Sequence, residues 1–399
     1  MCAFIAANSI STYAMAEVCL KWYHTFLFLF QAILTIADTT TDILTSLSYK
    51  ERGHQKWFAV SLSVTLFTLT VLCVWSIVAT TSRVWAEDTD AVERLEPTAN
   101  PDVIFRSTGI NVTLSCLCMG PPLHSLQLFF FCACRFKELW KSKNGLLVEK
   151  DRLYYLYVHT LNLKMLEGLL ESAPQLIIQV YVMLHSAQSG DKIAVIQFIS
   201  ASISFLSLVW MFTSMEFLRE FANYSMKFAH GALILVSNAG TIGARTLAII
   251  FFCMAFPWWV LLVFFVHWLI INLIGFWLWR SKRKQDMITF VFAYSPFYLF
   301  VYNSYYLKKL RGSAPFTVAV QNISAISWHI LFTVENIAMM SAYYVTAHDG
   351  AWFGEVALIV VLVGNIGGIL LKYTSWCCCF NEYSTERETF RRPVTIVLK

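Results

Sequence analysis

Charge is what this 399-residue chain has least of. Asp, Glu, Lys and Arg together make up 14% of it, where a soluble domain carries about a quarter. No polar stretch is long enough to hold a separate soluble domain. Proline and glycine are sparse, at 9 and 16 residues, which excludes collagen-like and low-complexity classes. No G-x4-G-K-[ST] run occurs, so nucleotide-driven pumping has no support, and no H-E-x-x-H or hydrolase-triad context is present. The chain is therefore not expected to be an enzyme, and no cofactor or metal is expected. Residues 1–20 lack a basic n-region and Asn8-Ser9 interrupts their apolar run, so no cleavable signal is expected and the first spanning helix is the insertion signal. Position 2 is Cys2 and not Gly, which excludes N-myristoylation.

Present instead is an abundance of apolar and aromatic residues: 57% hydrophobic, with 32 Phe and 14 Trp. A hydrocarbon core of about 30 Å needs about 20 apolar residues per helix. Clear spans run over roughly 24–48, 57–82, 193–214, 258–280, 287–304, 318–346 and 353–373. The stretch 153–186 is long and apolar but broken by Glu167, Glu171 and Pro174, and 228–256 is interrupted by Ser237-Asn238-Ala239-Gly240 and Arg245. Leu123–Cys134 is too short to span and reads as interfacial or re-entrant. The expectation is an all-α polytopic membrane protein of about eight membrane-embedded helical segments plus partly inserted hairpins.

Residues 84–121 form a polar loop, placed on the cytoplasmic side by a cytoplasmic N-terminus and two crossings. The sequon at Asn111 is then not glycosylated. Two basic clusters, 280–284 and 308–311, flank the 287–304 segment. Basic loops belong on one side, so 287–304 is expected to be a hairpin that returns to the cytoplasm. The net charge of +5 collects at helix ends and implies no nucleic acid.

Acids inside the apolar segments carry the functional signal, because each costs roughly 2.5–3.5 kcal/mol at bilayer depth on insertion scales. Asp38 and Asp42 share one face of the first helix, and Glu167 and Glu171 repeat the four-residue spacing. Arg245 and Glu335 lie in two further segments. The simplest arrangement pairs Arg245, and Lys164 as a second base, with some of these acids in the interior, the acids of the first helix and of the interrupted segment facing one another and Arg245. Acids outnumber bases, so pairing is incomplete, and the excess is protonated, hydrated or bound to lipid headgroups. A purely structural network is the competing reading.

Ser172-Ala173-Pro174-Gln175 matches an S-x-x-Q capping box, with Ser172 as cap, Gln175 at the third position and Pro174 tolerated in the first turn. One helix then ends near Glu171 and another begins at Ala173; the alternative is one proline-kinked helix. Gly364-x3-Gly368 permits close helix contact, within the chain in preference to a homodimer. Cys116, Cys118, Cys132 and Cys134 form a C-x-C…C-x-C pattern that reads as buried thiols in preference to a metal site. Cys377, Cys378 and Cys379 follow the last apolar segment, where palmitoylation and unmodified thiols are both open.

Leu169-Leu170-Glu171-Ser172-Ala173-Pro174-Gln175-Leu176 resembles the L-[LE]-[ST]-A-P-Q-L signature of the XK-related family. Asp38-x3-Asp42, the Pro122-Leu123-His124-Ser125-Leu126-Gln127-Leu128 run and Trp328-His329 through Glu335-Asn336 resemble three further family segments, in order, over about 24–380. The resemblance implies a single membrane domain over 1–399 in two related halves, with 380–399 a short cytoplasmic tail. It implies a plasma-membrane protein with both termini cytoplasmic. It implies a phospholipid scramblase exposing phosphatidylserine during apoptosis, with Asp38, Asp42, Glu167, Glu171 and Arg245 as rungs of a lipid path, joined by Glu335. The alternatives are a non-scrambling subunit that recruits a bridge-type lipid-transfer protein or a single-pass chaperone, and a secondary transporter. The tail has no Asp-x-x-Asp caspase site, and the run 87–91 (Glu-Asp-Thr-Asp-Ala) reads as a chance acidic cluster.

Overall fold

The computed structural model describes residues 18–20, 22–87, 120–141, 146–148, 150–221, 228–278, 291, 295, 299–300, 317–347 and 352–390. Apart from short turns, these are helical except for one three-residue antiparallel pairing of β1 (Val18–Leu20) with β2 (Leu146–Val148). The helices in chain order are α1 (Tyr23–Glu51), α2 (Gln55–Glu87), α3 (Gly120–Cys134), α4 (Phe136–Lys141), α5 (Lys150–Glu167), α6 (Ala173–Ser189), α7 (Val195–Phe221), α8 (Phe228–Ala255), α9 (Trp259–Leu278), α10 (Thr317–Ala347) and α11 (Trp352–Phe390). A π-helical turn, Gly168–Ser172, joins α5 to α6.

Among the described residues, five helices are long and apolar enough to cross a membrane: Tyr23–Glu51, Gln55–Ile77, Val195–Glu216, Ala229–Ala255 and Phe353–Ser375. The polarity of the bundle suits that medium. Large apolar side chains such as Phe67, Phe198, Leu261 and Val363 point outward, while Asp38, Asp42, Glu171, Arg245 and many Ser and Thr hydroxyls are buried.

Short connections set the helix directions. α1 and α6 both end on a glycine with positive φ, Gly53 at 81° and Gly190 at 76°, a backbone that favours a residue without Cβ. The amides that follow the two glycines, His54 and Asp191, reach back to the carbonyls of Tyr49 and Ser186. The Arg52 guanidinium donates to the Lys192 carbonyl at 2.8 Å, which ties the two turns together on one face of the bundle. Phe256-Pro257-Trp258 turns α8 into α9.

α8 and α11 pack at backbone contact. A Cβ on Gly240 would lie 2.8 Å from the Gly364 carbonyl oxygen, one on Gly364 would lie 2.8 Å from that of Gly240, and one on Gly368 would lie 2.8 Å from that of Ser237. The small-residue spacing Gly364-x3-Gly368 is thus used inside the chain. The apolar core gathers around this contact and α7, through Leu208, Phe212, Ile242, Ile249, Phe251, Met340 and Tyr343.

Several sequence expectations fall on residues outside the described set: most of the 84–121 loop, Asn111, Cys116 and Cys118, and the basic clusters 280–284 and 308–311. Of the 287–304 hairpin, Val291, Ser295, Leu299 and Phe300 are described. The Val291 carbonyl accepts from Trp268 of α9 and the Leu299 carbonyl from Arg245 of α8. Leu123–Cys134 forms most of α3, whose Leu123, Leu128 and Cys132 are buried. Cys132 and Cys134 are free thiols, and no His, Cys, Asp or Glu group suited to a metal ion occurs among the described residues.

Candidate functional site

α1 brings Asp38 and Asp42 to the centre of a polar seam because one helical turn separates them. α7 meets them with Ser200 and Ser204 at the same spacing. Ser204 Oγ donates to Asp38 Oδ1 at 2.8 Å and lies 3.3 Å from Asp42 Oδ1. Ser200 Oγ donates to Asp42 Oδ1 at 2.7 Å, and Gln179 Nε2 of α6 donates to the same oxygen at 2.8 Å. Ser172 Oγ donates to Asp38 Oδ2 at 2.6 Å. Below this level Lys164 Nζ spends its three protons on Glu167 Oε1 at 2.5 Å, Ser207 Oγ at 2.9 Å and Thr35 Oγ1 at 3.0 Å. Above it, Gln175 is clasped by α2, its amide donating to the Ser61 carbonyl and to Thr65 Oγ1, each at 2.8 Å.

Glu171 differs from its neighbours. It is fully buried, and among the described residues neither of its carboxylate oxygens has a hydrogen-bond partner. Asp42 Oδ2 and Gln179 Oε1, also buried, have none. Four acceptor oxygens therefore face the seam without a donor. Among the described residues Lys164 is the base that meets the four acids Asp38, Asp42, Glu167 and Glu171. Among the described residues the seam thus presents more acceptor oxygens than donors.

Arg245 is not part of this seam. Its partners lie elsewhere: a salt bridge to Glu335 Oε2 of α10 at 2.8 Å, and donated bonds to Asn336 Oδ1 and the Leu299 carbonyl, each at 3.0 Å. Its guanidinium also stacks over Phe332, 5.2 Å from the ring centre. His267 Nδ1 of α9 reaches Glu335 Oε1 at 2.7 Å. Pairing of Arg245 and Lys164 with some of the acids is observed, Arg245 with Glu335 and Lys164 with Glu167. The expectation that the acids of the first helix and of the interrupted segment face Arg245 is corrected: no hydrogen bond or ion pair joins Arg245 to Asp38, Asp42, Glu167 or Glu171 among the described residues. The charged residues expected from the sequence fall into two separate groups, because α8 carries Arg245 on the face that packs against α10. Lysine is a poor replacement here, since it cannot form Arg245's fork of directed bonds. Arg245→Lys is expected to cost about 2 kcal/mol, with lost bonds to charged donors as the cause, read as a lower melting midpoint by scanning fluorimetry in detergent.

The capping box at Ser172 is also corrected. Ser172 has helical backbone angles and makes no capping bond, and Gln175 turns to α2 and not to the Ser172 amide. The helix does not restart; it widens by a π turn and runs on, with Pro174 accommodated where the widening leaves the α pattern. Ser172 is thereby free to serve Asp38.

The sequence reading missed a third group. Lys372 Nζ of α11 pairs with Glu216 Oε1 of α7 at 2.5 Å and lies 3.5 Å from Asn238 Oδ1 of α8. A lone lysine near the end of an apolar run was its only trace. The hydroxyls of Ser200, Ser204 and Ser207 were missed too, although their i, i+4, i+7 spacing in an apolar helix is a readable stripe. Cys377, Cys378 and Cys379 continue α11 beyond the span, and nothing is described of their side chains.

A family model for XK-related protein matches residues 26–381, most of the chain. Among curated proteins, the chain is similar to XK-related protein 8 of Tetraodon nigroviridis, 28% identical over 180 residues, covering 44% of this chain and 39% of that protein. It is similar to XK-related protein 8 of Gasterosteus aculeatus, 29% identical over 184 residues, covering 44% and 40%. XK-related protein 9 of Tetraodon nigroviridis is 25% identical over 181 residues, covering 45% and 44%. The matched stretches thus span about two fifths of each relative's length. With the family match running from the first helix to the last, this chain belongs to the XK-related family.

Proposed function

We propose that the chain moves phospholipids such as phosphatidylserine between the leaflets of the plasma membrane without ATP, as part of apoptotic cell clearance. Both termini face the cytoplasm, and about eight embedded segments in two related halves surround the path. The observation that carries this reading is Glu171, a membrane-depth carboxylate with no partner in a seam of unmet acceptors. The ammonium of a choline, ethanolamine or serine headgroup supplies the donor and the charge that Glu171, Asp42 and Gln179 lack. Scrambling requires only that headgroups meet such groups in sequence, with contacts weak enough to be exchanged. The seam is enclosed on all sides in this conformation, so transport needs α1 to part from α7. Its hydroxyl–carboxylate bonds are suited to that exchange, since water or a headgroup can replace each one.

The same enclosure favours a second reading, in which the chain is a non-scrambling subunit whose acids fix helix packing and which recruits a single-pass or lipid-transfer partner. Proteoliposomes carrying a fluorescent lipid separate the two. In the first reading, dithionite bleaches well over the outer-leaflet half. Glu171→Gln then slows the second phase roughly tenfold, the effect of losing one charge-assisted contact of about 1.4 kcal/mol at the barrier. Its melting midpoint stays close to that of the parent, because no bond is broken. Bleaching that stops at the outer leaflet, with or without proteolysis or a partner, supports the subunit and overturns the first reading. Solute uptake driven by an ion gradient would instead make the chain a transporter.

A further inference from the structure

Four aromatic rings close a circuit at the end of α1 opposite Arg52. Trp22 lies 5.1 Å from Trp140, Trp140 lies 5.9 Å from Phe136, Phe136 lies 6.0 Å from Phe26 and Phe26 lies 6.1 Å from Trp22, all between ring centres. Three pieces of chain contribute: the residue between β1 and α1, the first turn of α1, and α4. The β1–β2 pairing fixes the first piece beside the third, since β2 follows α4 closely. Despite their mutual contact the rings remain open to the outside. Trp22 is 40% exposed, Phe26 54% and Trp140 61%.

The helix that supplies half the circuit is basic on its outer side. α4 is anchored by Leu139, which is buried, while Lys137 and Lys141 are exposed one turn apart. Arg135 precedes it and stacks over Phe131 at 4.7 Å. Glu138 is the one acid on this stretch, leaving two net positive charges beside an aromatic surface. Isolated interfacial Trp and Tyr set a helix's depth in any bilayer. A fixed, multi-segment aromatic floor with cations on one rim does more, because it offers a surface for glycerol and upper acyl carbons next to charges that meet a headgroup.

We propose that the Trp22–Phe26–Phe136–Trp140 platform, with Arg135, Lys137 and Lys141, is a peripheral binding site for an anionic phospholipid of the leaflet that α4 faces. The site is separate from the charged seam and does not depend on whether the seam conducts lipid. The lipid lies with its phosphate and carboxylate against the basic rim and its backbone on the rings. It fastens α4 and the start of α1 to one leaflet.

Native mass spectrometry of the full chain in detergent, supplied with equimolar phosphatidylserine and phosphatidylcholine, tests this. The parent protein is expected to retain phosphatidylserine preferentially. The preference is expected to fall about fivefold for each basic side chain neutralised at low salt in the series K141Q, K137Q/K141Q and R135Q/K137Q/K141Q. R135K/K137R/K141R keeps it. W22A/W140A loses retention of both lipids at this site while keeping the parent's monodispersity; if that variant does not fold, W140A alone reads the same loss. Glycerophosphoserine, which lacks acyl chains, does not displace the bound lipid. Equal retention of the two lipids by the parent, or a preference that survives the triple Gln variant, overturns the site.

Discussion

Glu167→Gln is expected to prevent accumulation of the folded protein. Lys164 is 1% exposed and Glu167 likewise, so the substitution leaves an ammonium in the bundle interior with no counter-charge bonded to it. Removing one partner of a buried pair costs about 3–5 kcal/mol, a large fraction of the stability of a typical domain. The Thr35 and Ser207 hydroxyls still accept from Lys164 but carry no charge. Lys164→Met/Glu167→Met removes both charges and is expected to recover much of the loss, since replacing a whole buried pair with apolar groups is close to neutral. Fluorescence-detected size exclusion after a heat step reads all three proteins. Collapse of the single variant with recovery of the double one assigns Lys164–Glu167 to structure. A stable Glu167→Gln would show that Lys164 is not held as a buried cation. The contrast with Glu171→Gln is informative because the two acids are one turn apart and only Glu167 is bonded.

Gly364→Leu is the second substitution expected to be severe. Its Cβ would be placed 2.8 Å from the Gly240 carbonyl oxygen, and backbone cannot swing aside as a side chain can. α8 and α11 would have to separate, loosening the Ser237–Gly368 bond of 2.7 Å and the Lys372–Glu216 pair beyond it. Overpacking of this kind costs about 1–3 kcal/mol when the surroundings can adjust, and more here because both helices present carbonyls. Gly367 is the built-in control. A Cβ at Gly367 meets nothing within 4 Å, so Gly367→Ala is expected to be neutral or stabilising, by up to about 1 kcal/mol from helix propensity. Melting midpoints in detergent that rank Gly367→Ala at or above the parent, and Gly364→Leu far below, verify the interlock. Equal midpoints for the two variants would refute it.

Much of this was legible in the residues. Apolar length located four of the five candidate crossing helices found among the described residues, at 24–48, 57–82, 193–214 and 353–373, because bilayer thickness fixes how much chain a crossing needs; the expected spans 258–280, 287–304 and 318–346 are not among the five. Cost located the acids: a carboxylate at membrane depth is rarely there without use, so Asp38, Asp42, Glu167 and Glu171 announced an interior seam before any fold was known. Partnerships were less legible. Arg245 was read with the nearest family of acids, yet which side of α8 it occupies depends on the rotation of α8 against α11, set by glycines 120 residues downstream. Lys372 and Glu216 escaped notice because each lies near the end of an apolar span, where a charge needs no explanation. The capping box was misread because Ser-x-x-Gln has two uses. In a soluble protein the hydroxyl's best available acceptor or donor is its own backbone; here Asp38 and α2 outcompete it.

The π turn has a consequence for phase. In an α-helix each four-residue step overshoots a full turn by about 40°. Glu167, Glu171, Gln175 and Gln179 are separated by three such steps, so on a regular helix the first and last would diverge by about 120° and one would point at lipid. The wider turn at Gly168–Ser172 takes up part of that drift, and Glu167 meets α1 while Gln175 and Gln179 still meet α2, α1 and α7. A length change of one residue at this point is therefore an angular change for everything after it. Four side chains stay in line only because the helix that carries them is slightly out of true.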